Sequence, residues 1–274
     1  LAKLFGFVQF DFAGTLPLAD GRYLVGVPES GEETVLVLQR LGTPAAERRR
    51  RRGRATAADP EPAPVSLTRA TVVRAAEPLE DQAGAARWLD DTCEDEDAVD
   101  RLAAEATKVL NQALHAQAVA AADPHGRQLS PEQAERMLVG YGSGEETADG
   151  RFTDSRQVDV GPRNASRRRR REEQLRPQER VAAVLRGREQ LDACETLLLR
   201  ARADLDAGRD REAALQLRIG VEALLAELDS ALDDPDHAAD LATLREDQTD
   251  DQQSTARRLE IAERILRRRR VLRR

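Results

Sequence analysis

Residues 4–13, Leu4-Phe5-Gly6-Phe7-Val8-Gln9-Phe10-Asp11-Phe12-Ala13, hold four of the five phenylalanines of the chain. On an extended backbone Phe5 and Phe7 share one face, whereas Val8, Phe10 and Phe12 share the other. The apolar alternation therefore changes phase near Phe7, as a bulge beside Gly6 would make it do. With Tyr23 these residues supply five of the eight aromatics in the protein. They could form a base-stacking face, but a small sheet short of other aromatics needs them as its core.

Working outward, Gly14-Thr15-Leu16-Pro17 and Asp20-Gly21 mark turns, Arg22 to Val27 reads as a second strand, and Thr34 to Leu38 as a third. Val65 to Val73 returns to strand-like content after an interruption. These segments predict a short antiparallel meander within residues 1–77, either four strands wrapped as a partial barrel or three strands and an edge. The interruption, at about 43–64, joins an arginine run to Asp59-Pro60-Glu61-Pro62-Ala63-Pro64 and lacks apolar periodicity, so it reads as a disordered linker.

From Pro78 onward the signal is helical. Leu79 to Asp91 carries Trp88 and Leu89, and after the acids Glu94 to Asp97 a longer helix places Val99, Leu102, Ala106, Val109, Ala113, Ala116 and Ala120 on one stripe. The acids favour its start through the helix dipole, and Asp123-Pro124 with Gly126 ends it. Ser130-Pro131-Glu132-Gln133 has the pattern of a capping box and predicts a short helix to about Val139. The glycine-rich stretch Gly140-Tyr141-Gly142-Ser143-Gly144 then reads as a loop. Residues 78–160 thus form an acidic helical region, followed by an arginine-rich linker at 161–176.

The last region, 177–274, reads as an antiparallel helical hairpin and a basic terminal helix. Pro177 opens a helix with apolar positions at Val181, Val184, Leu185, Leu191, Cys194, Leu198, Ala201 and Leu205. Asp206 to Asp210 turns the chain, and Ala214, Leu217, Val221, Leu224, Leu225, Leu228 and Leu232 return at heptad-like spacing. The turn Ala207-Gly208-Arg209-Asp210-Arg211-Glu212-Ala213 resembles the inter-helix turn of a tetratricopeptide repeat, over a single hairpin of about 34 residues in that family. There is no second copy, the return helix is longer, and the family's aromatic positions hold Ala and Leu, so an ordinary hairpin is the expectation. The fold class that emerges is α+β.

Composition narrows the function. The 274 residues carry 43 basic and 50 acidic side chains, a net charge of −7. The middle of the chain, 79–166, concentrates the acid, with 8 basic against 18 acidic residues. Leu, Val, Ile and Phe together make 60 residues, just above the level at which a charged chain stays unfolded, while Ala numbers 44 and buries little area each. The basic side chains are 41 Arg and two Lys, a bias of the kind GC-rich codons produce, which points to a bacterial source. Leu1 in place of Met suits a truncated chain or an alternative start codon. No window approaches 18 consecutive apolar residues, and the N-terminus lacks the elements of a secretory signal, so a cytoplasmic protein is expected.

Three arginine runs are candidate polyanion-binding residues: Arg48, Arg49, Arg50, Arg51 and Arg52; Arg167, Arg168, Arg169, Arg170 and Arg171; and Arg267, Arg268, Arg269 and Arg270. Each guanidinium that neutralises a phosphate releases counterions and can grip two oxygens at once. Against nucleic acid stand the acidic balance and the absence of aromatics interleaved with the arginines. The runs could equally be solvated linkers or partners of the acidic stretch around Asp90 to Asp100. The terminal helix has too short an apolar face to lie on a membrane. Gly140, Tyr141, Gly142, Ser143 and Gly144 are the candidate ligand loop, although neither phosphate-binding fingerprint is matched and no strand is expected before them. His115, His125 and His237 lack metal-ligand spacing, and Cys93 and Cys194 stand far apart, so no metal, cofactor or catalytic set is expected. The sequence favours a non-enzymatic interaction or scaffold protein acting on a protein partner through its helices, with polyanion binding second and an enzyme using the glycine-rich loop third.

Overall fold

The strand read at Leu4–Ala13 (β1) lies inside its sheet. In the computed structural model, which describes residues 3–26, 33–42, 66–159, 178, 180–227, 235–245 and 252–272, β1 pairs antiparallel with Leu67–Leu79 (β4) on one side and Ala134–Ser143 (β5) on the other. Gly21–Gly26 (β2) and Glu33–Leu41 (β3) continue the sheet beyond β4, and Asp154–Val158 (β6) continues it beyond β5. The order is β2-β3-β4-β1-β5-β6, an open six-stranded sheet and not a barrel. The fold is α+β, and the chain divides into two compact units, Leu1–Arg163 and Asn164–Arg274. The meander expected of the first strands is broken, because β1 pairs with β4 and not with β2.

Both faces of β1 are buried, which explains the phase change in its sequence. Val8, Phe10 and Phe12 join Leu36, Val72, Met137 and Val139 beneath Gln82–Glu94 (α1) and Glu96–Ala120 (α2), with Leu89, Leu102 and Leu110 as helical partners. Phe7 points the other way and is fully buried, its ring centroid 4.9 Å from that of Phe152. The pairing of β1 with β4 also slips between Phe5 and Phe7, where a bulge beside Gly6 was expected.

The short helix expected after Ser130 is instead β5. The Ser130 N–H does donate to Gln133 Oε1 at 3.1 Å, but the turn it closes is a single 3-10 turn, Pro131–Gln133, after which the backbone runs extended. Met137 to Gly142 are buried throughout. An interior strand covered on both faces shows no alternation of period two, so its apolar run is indistinguishable from a piece of buried helix. β6, at the sheet edge, has Val158 as its one apolar residue and so shows no apolar alternation. In α2 the stripe begins as read, with Val99, Leu102, Ala106 and Val109 buried. It then turns to Leu110 and Leu114, and Ala116 and Ala120 are exposed.

In the second unit, Ala193–Asp206 (α4) and Asp210–Glu227 (α5) form the expected hairpin. Pro235–Arg245 (α6) and Gln252–Leu272 (α7) complete its core. Cys194, Leu198 and Ala201 meet Leu217, Val221 and Leu224 across the hairpin, and Leu241, Leu244, Leu259, Ala262 and Ile265 close the cluster. The single helix expected from Pro177 to Leu205 is two pieces, helical at 180–185 and again from Ala193. Between them Gly187 adopts φ +68°, a left-handed conformation that suits glycine. Arg180 ties the junction, its Nε and Nη2 each 2.6 Å from a carboxylate oxygen of Glu189 and Glu195. The hydrogen bond to Glu195, and then that to Glu189, hold the guanidinium above its ordinary pKa against the cost of burial.

Candidate functional site

Gly140 to Ser143 are the last residues of β5, and Gly144 opens Gly144–Ala148 (α3). They do not form an open loop, and their neighbours occupy the space a ligand would take. A Cβ on Gly140 would come within 2.5 Å of the Asp154 carbonyl oxygen and 2.7 Å of Phe7 Cζ, and one on Gly142 within 2.7 Å of Thr147 Oγ1. The Ser143 hydroxyl donates to Glu146 at 2.8 Å, and Thr147 Oγ1 donates to the Ser143 carbonyl at 2.8 Å. The Tyr141 ring is buried, and burial followed by the fields of Asp154 and Asp90 pushes its phenol up from the ordinary value. Glycine is required here because Phe7, α3 and the chain at the start of β6 come too close to β5 to leave room for a side chain.

The face of β1 that carries Phe7 also carries a buried polar row. Gln9 Nε2 donates to Thr71 Oγ1 at 2.9 Å, and Arg69 grips Asp11 with Nε and Nη2 at 2.8 and 3.0 Å. The Asp11 hydrogen bond raises the Arg69 pKa more than burial lowers it. A bidentate pair across neighbouring strands fixes their register. Its side chains are 21% and 8% exposed, so both charges are already matched within the protein.

The first two arginine runs, Arg48 to Arg52 and Arg167 to Arg171, lie outside the described residues. The third lies on α7, with Arg269 and Arg270 continuing the helix after Arg267 and Arg268. Arg267 Nε donates to the Glu263 carbonyl of its own helix at 3.3 Å. Arg268 Nη1 and Arg264 Nε approach Asp240 Oδ2 at 3.5 and 3.6 Å, and Arg258 Nη2 donates to the Leu244 carbonyl at the end of α6, 3.1 Å away. The basic helix is thus held to α6 by its own arginines.

Reactive side chains are dispersed. Among the described residues no group of three His, Cys, Asp or Glu could hold a metal ion, and no helix is long and apolar enough to cross a membrane. Burial pushes the Cys93 thiol up, only partly opposed by Arg156, which leaves it a poor nucleophile. Cys194 is buried in the hairpin core. His115 is exposed beside an open cleft of about 370 Å³ at the end of α2, which Arg127 and Val119 also line.

What the sequence reading missed is the second face of α5. Its core side is Ala213, Leu217, Gly220, Val221 and Leu224. At 100° per residue Leu215 and Ile219 stand about 160° and 200° around from Leu217, and they are 44% and 50% exposed. Arg211, Arg218 and Glu222 flank them, also exposed. The signal was present as an i, i+4 apolar pair out of phase with the Leu217 stripe, hidden because the whole helix is rich in Ala and Leu. Compared with known proteins, the chain matches no family model, no curated protein and no solved structure.

Proposed function

We propose that this is a non-enzymatic interaction protein that docks another polypeptide on the outward face of α5. The observation that carries the reading is the pair Leu215 and Ile219, half exposed on a helix whose opposite side already supplies the core of its own unit. Single exposed apolar residues are ordinary on a protein surface. Two adjacent ones one helical turn apart, framed by charges of both signs, make the kind of stripe on which a second helix seats its own side chains. The hairpin behind them is fixed by its turn, where Arg209 Nη2 lies 2.7 Å from Asp204 Oδ1, both largely buried. Polyanion binding is less well supported on α7, because Arg258, Arg264 and Arg268 are engaged with α6.

The test is a pair of variants, Leu215→Asp and Ile219→Asp, in the full chain. Both sites face away from the core, so helical circular dichroism and thermal midpoint should stay near wild type. Complexes containing the tagged wild-type chain, fixed by chemical crosslinking inside cells that make it natively and then sized, should collapse to the mass of the chain alone in both variants. Complexes of unchanged size in both would contradict the reading.

A further inference from the structure

We infer that the partner of the outward face of α5 is a second copy of this chain, docked with the two helices antiparallel about a two-fold axis at the level of Leu217. The inference rests on the interaction reading above and supplies its occupant. In an antiparallel two-fold pair, a residue above the axis on one flank of a helix meets the residue an equal distance below the axis on the same flank of its mate. Arg211 and Glu222 satisfy that relation. They lie on the same flank, about 120° and 140° around from Leu217 at 100° per residue. They also stand on opposite sides of Leu217, about 9 Å before it and about 8 Å after it at 1.5 Å per residue. Each copy therefore offers its Arg211 to the other's Glu222, and the contact is made twice.

The other flank contains no conflict. Glu212 of one copy falls opposite Ala223 of the other; the one like-charge approach is on the first flank, where Arg218, about 100° around from Leu217 and about 1.5 Å past the axis, comes level with its own copy at the outer margin of the contact. Leu215 and Ile219, just before and just after the axis, interleave with their counterparts at its centre. Neither Arg211 nor Glu222 forms an ion pair with any described residue of its own chain, although Arg218 stands one turn before Glu222 on α5. Two Arg211 to Glu222 pairs and the central apolar pair are thus set against one marginal approach of Arg218 to its copy, and the balance of the face favours self-pairing. A contact made by one helix of 18 residues buries less than the roughly 1,200 Å² of a standard stable interface. The dimer is accordingly weak, with a dissociation constant on the order of 10 µM to 1 mM.

Sedimentation equilibrium of the purified full chain across that concentration range tests it. Wild type should shift reversibly from monomer to dimer, and Ile219→Asp should remain monomeric. Arg211→Glu and Glu222→Arg should each weaken association about tenfold, since two attractive pairs become repulsive. The double exchange Arg211→Glu/Glu222→Arg should return it to near wild type. A dimer that survives Ile219→Asp, or a double exchange no better than the singles, would overturn the antiparallel docking. A wild type monomeric at every concentration overturns the self-association alone. If complexes from native cells still depend on Leu215 and Ile219, the face then serves a different polypeptide, and if they do not, both readings fall.

Discussion

Glu227, the last residue of α5, caps the start of α4 by accepting the backbone N–H of Ala193 at Oε1, 3.0 Å away. Its Oε2 accepts the N–H of Cys194 at 3.3 Å. The first amides of a helix have no partners within it and carry its positive dipole end, so a carboxylate there is favourable on both counts. Asp192, at the N-cap position, makes no side-chain cap of its own. One helix of the hairpin thus completes the other, and the outward stripe of α5 is carried on a closed frame.

Glu227→Ala should therefore lower the stability of the helical unit by about 1 kcal/mol, within the range of lost N-terminal caps. Glu227→Gln, which keeps an acceptor but not the charge, should cost less. Urea unfolding followed at 222 nm checks both, and equal losses in the two variants would show that the capping oxygen is not the source.

Gly140→Ala should be severely destabilising to the sheet unit, because its Cβ would be forced against both the Asp154 carbonyl and Phe7. Overpacking of this kind costs about 1–3 kcal/mol and here meets backbone, which cannot move aside cheaply. Gly26→Ala is the control: no atom of the described residues lies within 4 Å of its Cβ position and its φ is not left-handed. It should be neutral or stabilising by up to about 1 kcal/mol through the unfolded state. Thermal denaturation of the two variants measures the contrast.

Arg69→Leu should cost about 3 kcal/mol, because it strands the Asp11 carboxylate on a covered sheet face. Asp11→Leu together with Arg69→Leu should recover most of that loss, since two apolar side chains can replace a matched pair. Chemical denaturation of the single and double variants closes the cycle.

Tyr141 gives an alkaline dependence with a definite sign. Its folded-state pKa lies above the ordinary value of 10, so the unfolded chain releases this proton first. The stabilisation is fully present below pH 10 and is lost as pH rises from 10 through the folded value. Unfolding midpoints measured across that window should fall less steeply in Tyr141→Phe than in wild type.

The sequence disclosed elements whose apolar residues face one way. The hairpin of α4 and α5 and the first turns of α2 were legible because Leu198, Leu217, Val221, Leu102 and Val109 recur at helical spacing toward a single core. It concealed β5, where Met137 to Tyr141 are covered on both faces, and the true capping pattern at Ser130 lent weight to a helix that ends after one turn. It concealed β6 because Asp154, Arg156 and Gln157 belong to a solvated edge, where polar residues guard against pairing with other chains. The glycines at 140 and 142 read as a loop because sequence cannot show Phe7 and Thr147 packed against them. Leu215 and Ile219 were overlooked for the opposite reason: on a helix so rich in Ala and Leu, a second stripe does not stand out until the first has been assigned to the core.

The most direct test of the interaction reading is site-specific photocrosslinking from position 219 of the full chain in cells that make it natively, with the same probe at exposed Arg200 on α4 as reference. A discrete adduct from position 219, absent from position 200 and lost when Leu215→Asp is added, is the expected result. No adduct from 219 beyond those formed at 200 would contradict the claim that the outward face of α5 is where this protein meets its partner.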